Sequence, residues 1–432
     1  MDASSDAKRR IVLTTFGSYG DVNPFVGLAL GLKGRGHDPV VATSAHYRRY
    51  VESNDLAFAP VRPDVDPDDR KLLARLMHPR HGTRSIVRDL LFGALDESYV
   101  DLAAACEGAD LLITHPATFA GPIVAERRDL RWISTVLAPA SFFSIRDFPV
   151  VAALPPFGWL LRAPPTLARP FFALTRRMVA GWSAPAADLR RRLGLAERRD
   201  PVFFGQHAPG LVLALFSRLL AAPQPDWPLN VRVTGPIFFD RGAGTDDELE
   251  RLRGFLSAGP PPIVFTLGSA AVGTAGRFYE HSLAAARTLG RRAVLVVGSH
   301  AENRVAGAGP EVMVVGAAPF SELFPGAAAI VHQGGIGTTQ QAMRAGRPML
   351  VVPFAHDQPD NARRVRDLGI ARALAIDRYT AGRAVRELRR LLEEPAYGER
   401  AWSVGEQIGS EAGVTAACDA IEADFRTRRD GW

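Results

Sequence analysis

The sequence predicts an α/β protein with two doubly wound, Rossmann-like domains that face one another. Short apolar runs of strand length alternate with helical patterns, which indicates βαβ units and a parallel sheet. The run IVLTTFGS at Ile11–Ser18 is echoed by IVFTLGS at Ile263–Ser269, so each run is expected to begin one domain. A length of 432 residues suits two or three domains of about 150 residues each.

The first domain is predicted to begin with a buried strand and a helix. Ile11–Phe16 is a continuous apolar run, and Val22–Lys33 carries apolar residues at helical spacing before Gly34 and Gly36. Four further runs are typical of strands: Pro39–Thr43, Ala57–Val61, Asp110–Thr114 and Trp132–Val136. We assign residues 1–228 to this domain, with an aromatic and helical insertion at about 139–193.

The second domain repeats the pattern over residues 229–410. The proline-rich stretch Ala221–Pro228 is the predicted linker. The predicted strands are Ile263–Leu267, Ala293–Val297, Val312–Val315, Ala328–Val331 and Met349–Val352. The remaining segment, 411–432, is expected to hold a helix around Glu411–Arg426 that can cross back to the first domain.

Composition excludes several classes of protein. With 47% hydrophobic and 23% charged residues, the chain is neither disordered nor fibrous. A net charge of +6 without long basic runs gives no indication of nucleic-acid binding. Cys106 and Cys418 stand far apart and predict neither a disulfide framework nor a zinc site. The N-terminus has no signal-peptide pattern, so a soluble cytoplasmic protein is expected.

The insertion is rich in aromatic and arginine residues and has two interpretations. It can form amphipathic helices that simply pack on the first domain. It can also form an apolar pocket, or a membrane-surface face with basic edges. The pocket interpretation selects four side chains: Phe142, Phe143, Phe148 and Trp159.

The strongest chemical signal lies in Ala329–Asn361. A strand leads to His332, and the glycines of HQGGIGTT then turn the chain into a helix. Glycines let the backbone approach an anion, and free N–H groups at a helix start bind phosphate. Asp357 and Gln358 follow the next strand, at the sheet edge where α/β proteins bind ligands. The alternatives are a structural histidine at His332 and a helix cap at Asp357.

This stretch resembles the donor-binding signature of GT-B glycosyltransferases of family 1, which act on antibiotics, sterols and plant small molecules. FGSYGDVNPF at Phe16–Phe25 resembles the start of the same family, and Ala355–Asn361 is similar in detail to the rhamnosyltransferase of bacterial rhamnolipid synthesis. The resemblance covers nearly the whole chain. It implies a GT-B fold with an inter-domain cleft, a sugar nucleotide on the C-terminal domain and an acceptor on the N-terminal one.

The resemblance also implies roles for individual residues. His332 and the amides of Gly337, Thr338 and Thr339 would hold the diphosphate, Ser269 would contact it from the opposite loop, and Asp357 and Gln358 would bind sugar hydroxyls. The implied donor site is Ser269, His332, Gly334, Gly335, Gly337, Thr338, Thr339, Gln340, Asp357 and Gln358. The acceptor would contact Phe142, Phe143, Phe148 and Trp159.

Two positions depart from the family pattern. Ala317 stands where many members place an aromatic ring against the nucleobase, and Gln340 stands where some place a ribose-binding glutamate. The donor is therefore left open between UDP- and dTDP-sugars. Asp64 and Asp66 match a D-x-D metal pattern of another glycosyltransferase fold but are expected to form a solvated turn. No metal or other cofactor is expected, because the helix start supplies the positive environment for phosphate.

Inverting transfer also needs a base that takes the proton of the acceptor hydroxyl as its oxygen attacks C1. Many family members use a histidine after the first strand, whereas this sequence has Asp21, as do the sterol and glycopeptide branches. An aspartate with a pKa of about 3.9 is a weak base unless desolvation raises its pKa, which an apolar acceptor pocket would do. The alternative is that Asp21 only caps the helix beginning at Val22.

Together these observations predict an inverting glycosyltransferase. It would move a hexose, glucose or rhamnose, from a UDP- or dTDP-sugar to a hydroxyl of a hydrophobic small molecule or lipid, with peripheral contact at the inner membrane as a further expectation. A dinucleotide-dependent oxidoreductase is disfavoured because the first turn, Gly17–Gly20, lacks G-x-G-x-x-G. A sugar-nucleotide 2-epimerase and a non-catalytic partner of the same fold are the alternatives. The acceptor and the oligomeric state stay open.

Overall fold

Strands and helices alternate throughout the computed structural model, which describes residues 8–66, 69–150, 164–197, 200–240, 242–307 and 309–427. Within these ranges the chain forms two parallel sheets, of seven and six strands, each flanked by helices. The prediction of an α/β protein with two doubly wound domains is confirmed.

The first sheet has the strand order β3-β2-β1-β4-β5-β6-β7. Its strands are β1 (Arg10–Thr14), β2 (Asp38–Thr43), β3 (Ala57–Pro60), β4 (Leu111–Thr114), β5 (Arg131–Val136), β6 (Leu211–Ala214) and β7 (Val231–Val233). Central β1 pairs with β2 and β4, so that Leu13 lies opposite Val41 and Ile113. The first-domain helices are α1 (Tyr19–Gly34), α2 (Arg48–Ser53), α3 (Arg70–Leu76), α4 (Gly82–Arg84), α5 (Leu95–Ala105), α6 (Ala120–Arg127), α7 (Pro165–Val179) and α8 (Ala184–Arg192).

The second sheet has the order β10-β9-β8-β11-β12-β13. Its strands are β8 (Ile263–Thr266), β9 (Ala293–Val296), β10 (Val312–Val315), β11 (Ala329–His332), β12 (Met349–Val351) and β13 (Ala371–Ala373). The helices of this half are α9 (Asp246–Ser257), α10 (Gly268–Ala271), α11 (Phe278–Thr288), α12 (Phe320–Leu323), α13 (Ile336–Arg344), α14 (Gln358–Asp367), α15 (Ala381–Glu393), α16 (Pro395–Gly409) and α17 (Gly413–Thr427).

Strand β7 follows the predicted linker and pairs with β6 at the edge of the first sheet. The proline-rich stretch Ala221–Pro228 therefore lies before the last strand of that sheet. A three-residue strand, Val-Arg-Val, is too short to show an alternating or continuous apolar pattern. The sequence pattern therefore could not predict that β7 pairs with β6.

The last helix, α17, returns to the first domain and packs on α1. Arg35 at the end of α1 pairs with Asp419 at 2.7 Å and with Glu422 at 2.9 Å. Gly31 leaves room on α1 for Val414 and Cys418, since a Cβ atom there would collide with Val414. Cys106 and Cys418 are buried free thiols. Helix α17 thus packs against α1, the helix whose first residues lie at the candidate site.

The sheets form the core, and burial follows their apolar strands. The side chains of Ile11, Val12 and Leu13 in β1, and of Ile263, Val264 and Phe265 in β8, are completely buried. Strands covered on both faces are expected to be apolar throughout, as these runs are. Among the described residues, no helix combines the length and apolar character that crossing a bilayer requires.

Candidate active site

The candidate site lies where the two domains meet, at the N-terminal end of α1. This end of α1 contacts α10 and α13, the two helices that follow β8 and β11 in the second domain. The approach is close: a Cβ atom on Gly337 would lie 3.6 Å from the Cα atom of Gly20. The loops predicted to carry the base and the donor phosphates therefore face each other.

Asp21 occupies the third position of α1 and takes part in its cap. The main-chain N–H of Ser18 donates to Oδ2 of Asp21 at 2.8 Å, and the Ser18 hydroxyl donates to the same oxygen at 3.2 Å. The Ser18 hydroxyl also accepts from the N–H of Gly20, which completes a capping box. The capping role considered for Asp21 is thus present in the structure, and it occupies only one of the two carboxylate oxygens.

The second carboxylate oxygen of Asp21 takes no part in the cap. Oδ1 lies 3.6 Å from Nε2 of His115, on the loop after β4. Although 32% of the Asp21 side chain is accessible, protein surrounds the carboxyl group, and this burial raises its pKa to about 6 against the lowering effect of the Ser18 bonds. Such a carboxylate is ionised at neutral pH and is a stronger base than a free aspartate.

The start of α13 presents unpaired main-chain donors. Gly334 follows β11 at φ +91°, where a Cβ atom would collide with Val351, so glycine is required for this turn. In the described part of the chain, the N–H groups of Ile336, Gly337 and Thr338 have no protein acceptor, and Gly335 provides no side-chain cap. An anion is favoured at such a helix start.

Two predicted phosphate contacts need correction. The N–H of Thr339 donates to the carbonyl of Gly335 at 2.9 Å, as an ordinary helical bond, and is not free for a ligand. His332 is completely buried: Nδ1 accepts from the N–H of Gly334 at 3.1 Å, and Nε2 lies 3.3 Å from the sulfur of Met349. Burial lowers the pKa of His332 to about 3. In this arrangement both ring nitrogens face protein atoms, and the ring supports the turn.

Gln340 is also turned away from a ligand. Its Oε1 accepts from the main-chain N–H of Ser217 at 2.9 Å, and its side chain is buried, so it joins α13 to the first domain instead of facing a ribose. Ser269 is exposed at the start of α10, where it is free to contact a ligand. Gln333, a buried residue that we did not predict, has an unpaired Oε1 and packs its amide against Gly268, next to Ser269.

The acid-amide pair opens α14, beside the turn. Asp357 makes no side-chain bond to the first turn of the helix, so the capping alternative is not realised; its Oδ2 accepts instead from Nδ2 of Asn361 at 2.7 Å. Nδ2 of Asn361 also donates to the carbonyl of Gly334 at 2.9 Å. Oε1 of Gln358 accepts from the N–H groups of Phe354 and Ala355. Asn361, which was not predicted, links the glycine turn to the start of α14.

The negative charge of Asp21 affects the pKa of Asp357. Burial is the main cause that raises the pKa of Asp357 to about 7, and the negative charge of Asp21 raises it further. The two carboxyl groups are therefore close enough to influence each other although they come from different domains. Donors of a ligand placed between them would find two acceptors.

The predicted acceptor residues lie in different environments. Phe142 is 2% exposed and stacks on Trp227 at 4.1 Å, so it belongs to the core and cannot line a pocket. Phe143 and Phe148 are half-buried and join an aromatic cluster with three further rings, from α7 and the segment after α8: Phe171, Phe172 and Phe203. Trp159 lies outside the described residues. The prediction of Phe142 was wrong because this residue follows shortly after β5 and packs against the side chains of β6 and β7.

Salt bridges connect the insertion of the first domain to helix α14 of the second domain. Asp147, next to Phe148, accepts from Arg364 at 2.6 Å and from Arg363 at 3.0 Å, both on α14. Arg364 also pairs with the fully buried Asp360 at 2.6 Å. This network was not predicted, because arginine and aspartate are common on surfaces and nothing in their spacing indicates a partner in another domain.

The acidic loop has a structural role. Oδ1 of Asp64 accepts from the hydroxyl of Ser44 at 2.7 Å and from the N–H of Ala45 at 2.6 Å. Within the described ranges no group of three or more metal-ligating side chains is present. The D-x-D metal interpretation therefore has no support from geometry.

Two facing parallel-sheet domains, with an anion-binding helix start across a cleft from a carboxylate, define the class of nucleotide-sugar-dependent transferases with the GT-B fold. Comparison with known proteins agrees. Residues 11–126 match the model of the glycosyltransferase family 28 N-terminal domain, and residues 280–422 match that of the erythromycin biosynthesis protein CIII-like C-terminal domain.

Similar proteins span nearly the whole chain. O-mycaminosyltylonolide 6-deoxyallosyltransferase of Streptomyces fradiae is 34% identical over 97% of this chain and 98% of its own length. The sterol 3-β-glucosyltransferase of Glomerella lagenarium is 28% identical over 96% of this chain, which corresponds to 28% of that longer protein. The chain belongs to the GT-B glycosyltransferases of family 1 and is a nucleotide-sugar-dependent glycosyltransferase.

Solved structures show the same fold. The kitacinnamycin glycosyltransferase has a TM-score of 0.72 at 21% identity and covers 96% of this chain and 99% of its own. The glycosyltransferase VinC, solved in complex with dTDP, has a TM-score of 0.65 at 22% identity and covers 96% and 98%. The predicted GT-B architecture is confirmed.

Proposed function

We propose that this enzyme transfers a hexose, with inversion at C1, from a dTDP- or UDP-sugar to a hydroxyl of an apolar natural product or lipid. One observation carries the proposal: the carboxylate of Asp21 and the unpaired amides at the start of α13 face one cleft, with Gly20 against Gly337. Glucose and rhamnose are the sugars proposed. The O-mycaminosyltylonolide and sterol transferases among the relatives support an apolar acceptor.

The donor diphosphate binds at the start of α13. The amides of Ile336, Gly337 and Thr338 point their hydrogens out of the helix end, where the helix dipole adds a partial positive charge. Ser269 contacts the phosphates from the start of α10. Asp357 accepts from sugar hydroxyls, and the amide of Gln358 donates to one, because both stand directly after β12 beside the glycine turn.

Asp21 then acts as the base. The acceptor hydroxyl loses its proton to Oδ1 as its oxygen forms a bond to C1, and the bond from C1 to the diphosphate oxygen breaks on the opposite face. The negative charge passes from Asp21 to the nucleoside diphosphate, where the amides of α13 stabilise it. The pKa of about 6 fits a base that must be ionised near neutral pH and still bind a proton.

The aromatic cluster that contains Phe143, Phe148 and Phe203 is the proposed apolar wall for the acceptor. Asp147 holds its neighbour Phe148 in place through Arg363 and Arg364 on α14. Because α14 also begins at the sugar-binding pair, acceptor wall and donor site are positioned by the same helix.

Helix α7 supports peripheral contact with an anionic membrane. Its large side chains Leu167, Leu174 and Met178 are 54%, 56% and 72% exposed, and the spacing places them on one face. No acidic residue occurs between Asp147 and Asp188, and the exposed Arg177 lies at the edge of the apolar face. Exposed apolar residues with basic edges are typical of helices that lie in a lipid interface.

The membrane proposal is tested by vesicle sedimentation. Leu174→Ser with Met178→Ser should reduce binding to phosphatidylglycerol vesicles, and Val100→Ser, an equally exposed residue on α5, should leave it unchanged. Equal binding to phosphatidylcholine, or no binding by the wild type, would contradict a basic membrane face.

The donor proposal is tested by calorimetry with UDP, dTDP and GDP and with the corresponding nucleosides. Gly337→Pro removes one amide donor in the first helical turn, where proline is tolerated, and should weaken diphosphate binding about tenfold or more. Binding of the nucleosides should change little. Product NMR should show inversion at C1. Equal diphosphate affinity in the variant would overturn the phosphate site, and retained configuration would overturn the mechanism.

A further inference from the structure

His115 stands next to the proposed base, and sequence analysis gave it no role. It follows β4 directly, at the end of the strand beside β1. Its Nε2 atom lies 3.6 Å from Oδ1 of Asp21, the oxygen that Ser18 leaves unoccupied. That separation exceeds a hydrogen bond, and a shift of well under an ångström on substrate binding would close it.

The surroundings fix which nitrogen of His115 carries the proton. The N–H of Ala117 donates to Nδ1 at 3.1 Å, so Nδ1 has no proton and the hydrogen of the neutral ring is on Nε2. The loop itself is held by Thr118, whose hydroxyl and N–H both donate to the carbonyl of His115. Phe25 of α1 packs edge-on against the ring at 5.9 Å. The donor therefore points at Asp21.

The same surroundings prevent His115 from serving as the base. Its side chain is 10% exposed, and burial lowers its pKa to about 3, so the ring stays neutral at working pH. Its lone pair on Nδ1 is occupied by Ala117. The other titratable groups near Asp21 are Tyr47, whose hydroxyl donates to Gly17, and Asp357 across the cleft. Burial raises the pKa of Tyr47, so it too stays neutral.

We propose that His115 is a positioning residue that uses its Nε2–H group to orient Oδ1 of Asp21 toward the acceptor hydroxyl. The inference rests on the proposed function of Asp21. In this pair the carboxylate of Asp21 takes the proton, and the imidazole of His115 orients the carboxylate. The two groups thus have the opposite roles to those of the Ser-His-Asp triad, in which the imidazole is the base. With Ser18 on Oδ2 and His115 on one side of Oδ1, one free lone pair of Asp21 remains for the substrate.

Two substitutions at His115 separate its bonds. His115→Asn keeps an oxygen near Nδ1 for Ala117 and loses the donor to Asp21. His115→Gln places its amide NH₂ near Nε2 and keeps that donor. We expect His115→Asn to lower kcat about 10- to 100-fold with little change in KM or nucleotide affinity. The acid limb of the pH–kcat profile should move upward, because a carboxylate that loses a donor has a higher pKa. His115→Gln should recover most of both.

Ala117→Pro gives an independent test, since it removes the N–H that fixes the tautomer without touching the ring. It should lower kcat less than His115→Asn does, at unchanged nucleotide affinity. In an Asp21→Asn background, His115→Asn should have no further effect, because residues that act as a unit are not additive.

The outcomes are distinguishable. If Asp21→Asn keeps full turnover, the proposed function of Asp21 fails. If Asp21→Asn loses turnover while both His115→Asn and Ala117→Pro keep wild-type kcat and acid limb, the proposal for His115 is overturned. Equal losses for His115→Asn and His115→Gln at an unmoved acid limb would assign the ring a purely structural role and would also overturn it.

Discussion

The backbone of Gly17 lies directly against the carboxyl group of Asp21: a Cβ atom on Gly17 would collide with Oδ2. Gly17 also has φ +137°, and its carbonyl accepts from the hydroxyl of Tyr47 at 2.9 Å. The turn after β1 is thus shaped around the carboxylate, and the side-chain-free position is what allows Asp21 to fold back onto Ser18.

Gly17→Ala should therefore displace the carboxyl group. We expect kcat to fall about 100-fold, since displacements of an ångström have effects of this size, while nucleotide affinity changes little. The control is Gly36→Ala, which also has a positive φ, +91°, and has open space around its Cβ position. Both variants should lose about 1–2 kcal/mol of stability in urea unfolding. Equal kcat in the two would show that Gly17 does not position Asp21.

Asp21→Asn separates the base from the cap. An amide can still accept from the N–H of Ser18 but cannot take a proton, so kcat should fall by about 10² to 10⁴ with dTDP or UDP affinity unchanged in calorimetry. Ser18→Ala removes the capping hydroxyl, at a cost of about 1 kcal/mol in melting experiments, and should keep most of the turnover. The reverse pattern would make Asp21 a cap only.

Asp357 should make the free energy of unfolding depend on pH. Its folded pKa of about 7 lies above the ordinary value of about 3.9, so the folded state binds the proton more tightly. The resulting stabilisation is fully present below pH of about 4 and is lost as the pH rises through 7. Asp357→Asn, neutral at every pH, should exceed the wild type by about 1–4 kcal/mol at pH 8, since three pKa units correspond to about 4 kcal/mol before solvent screening, and should nearly match it at pH 4.

The control for this measurement is Asp188→Asn on α8, an exposed residue paired with Arg191, which should change stability little at either pH. A wild type that is as stable as Asp357→Asn at pH 8 would show that the carboxyl group is not desolvated in the free enzyme.

His332 should act on nucleotide binding through the glycine turn. His332→Asn places an oxygen near Nδ1 that can accept from the N–H of Gly334, whereas His332→Leu cannot. Both lose packing, but His332→Leu also leaves a buried N–H unpaired, at a cost of about 1–3 kcal/mol. Only His332→Leu should lose most of its nucleotide affinity by calorimetry. Equal, severe losses in both variants would instead support a direct contact between the ring and a phosphate.

The strands could be predicted because burial on both faces leaves a signature. Ile11–Phe16 and Ile263–Leu267 are mostly apolar, with only threonines among their buried polar residues, and the observed strands β1 and β8 begin within one residue of them. Strands β7 and β13 have three residues each and include an arginine, so no pattern marked them.

The position of the glycine turn could also be predicted, because Gly334 needs a backbone angle that other residues rarely adopt. Which atoms the turn leaves free could not. His332 and Thr339 belong to the same motif, yet the fold uses them internally and leaves Ile336 to Thr338 unpaired. A motif specifies local backbone geometry, whereas the partner of each polar atom depends on the whole fold.

The sequence by itself determined the fold class, the family and the places where Asp21 and the phosphate turn begin, because these depend on apolar periodicity, helix caps and glycine. Only the tertiary structure decided that His115 faces Asp21, that Phe142 belongs to the core and that Arg364 holds Asp147. These relationships join residues far apart in the chain. They arise from the packing of distant segments, and a local sequence pattern cannot predict which distant side chain will pack against a residue or bond to it.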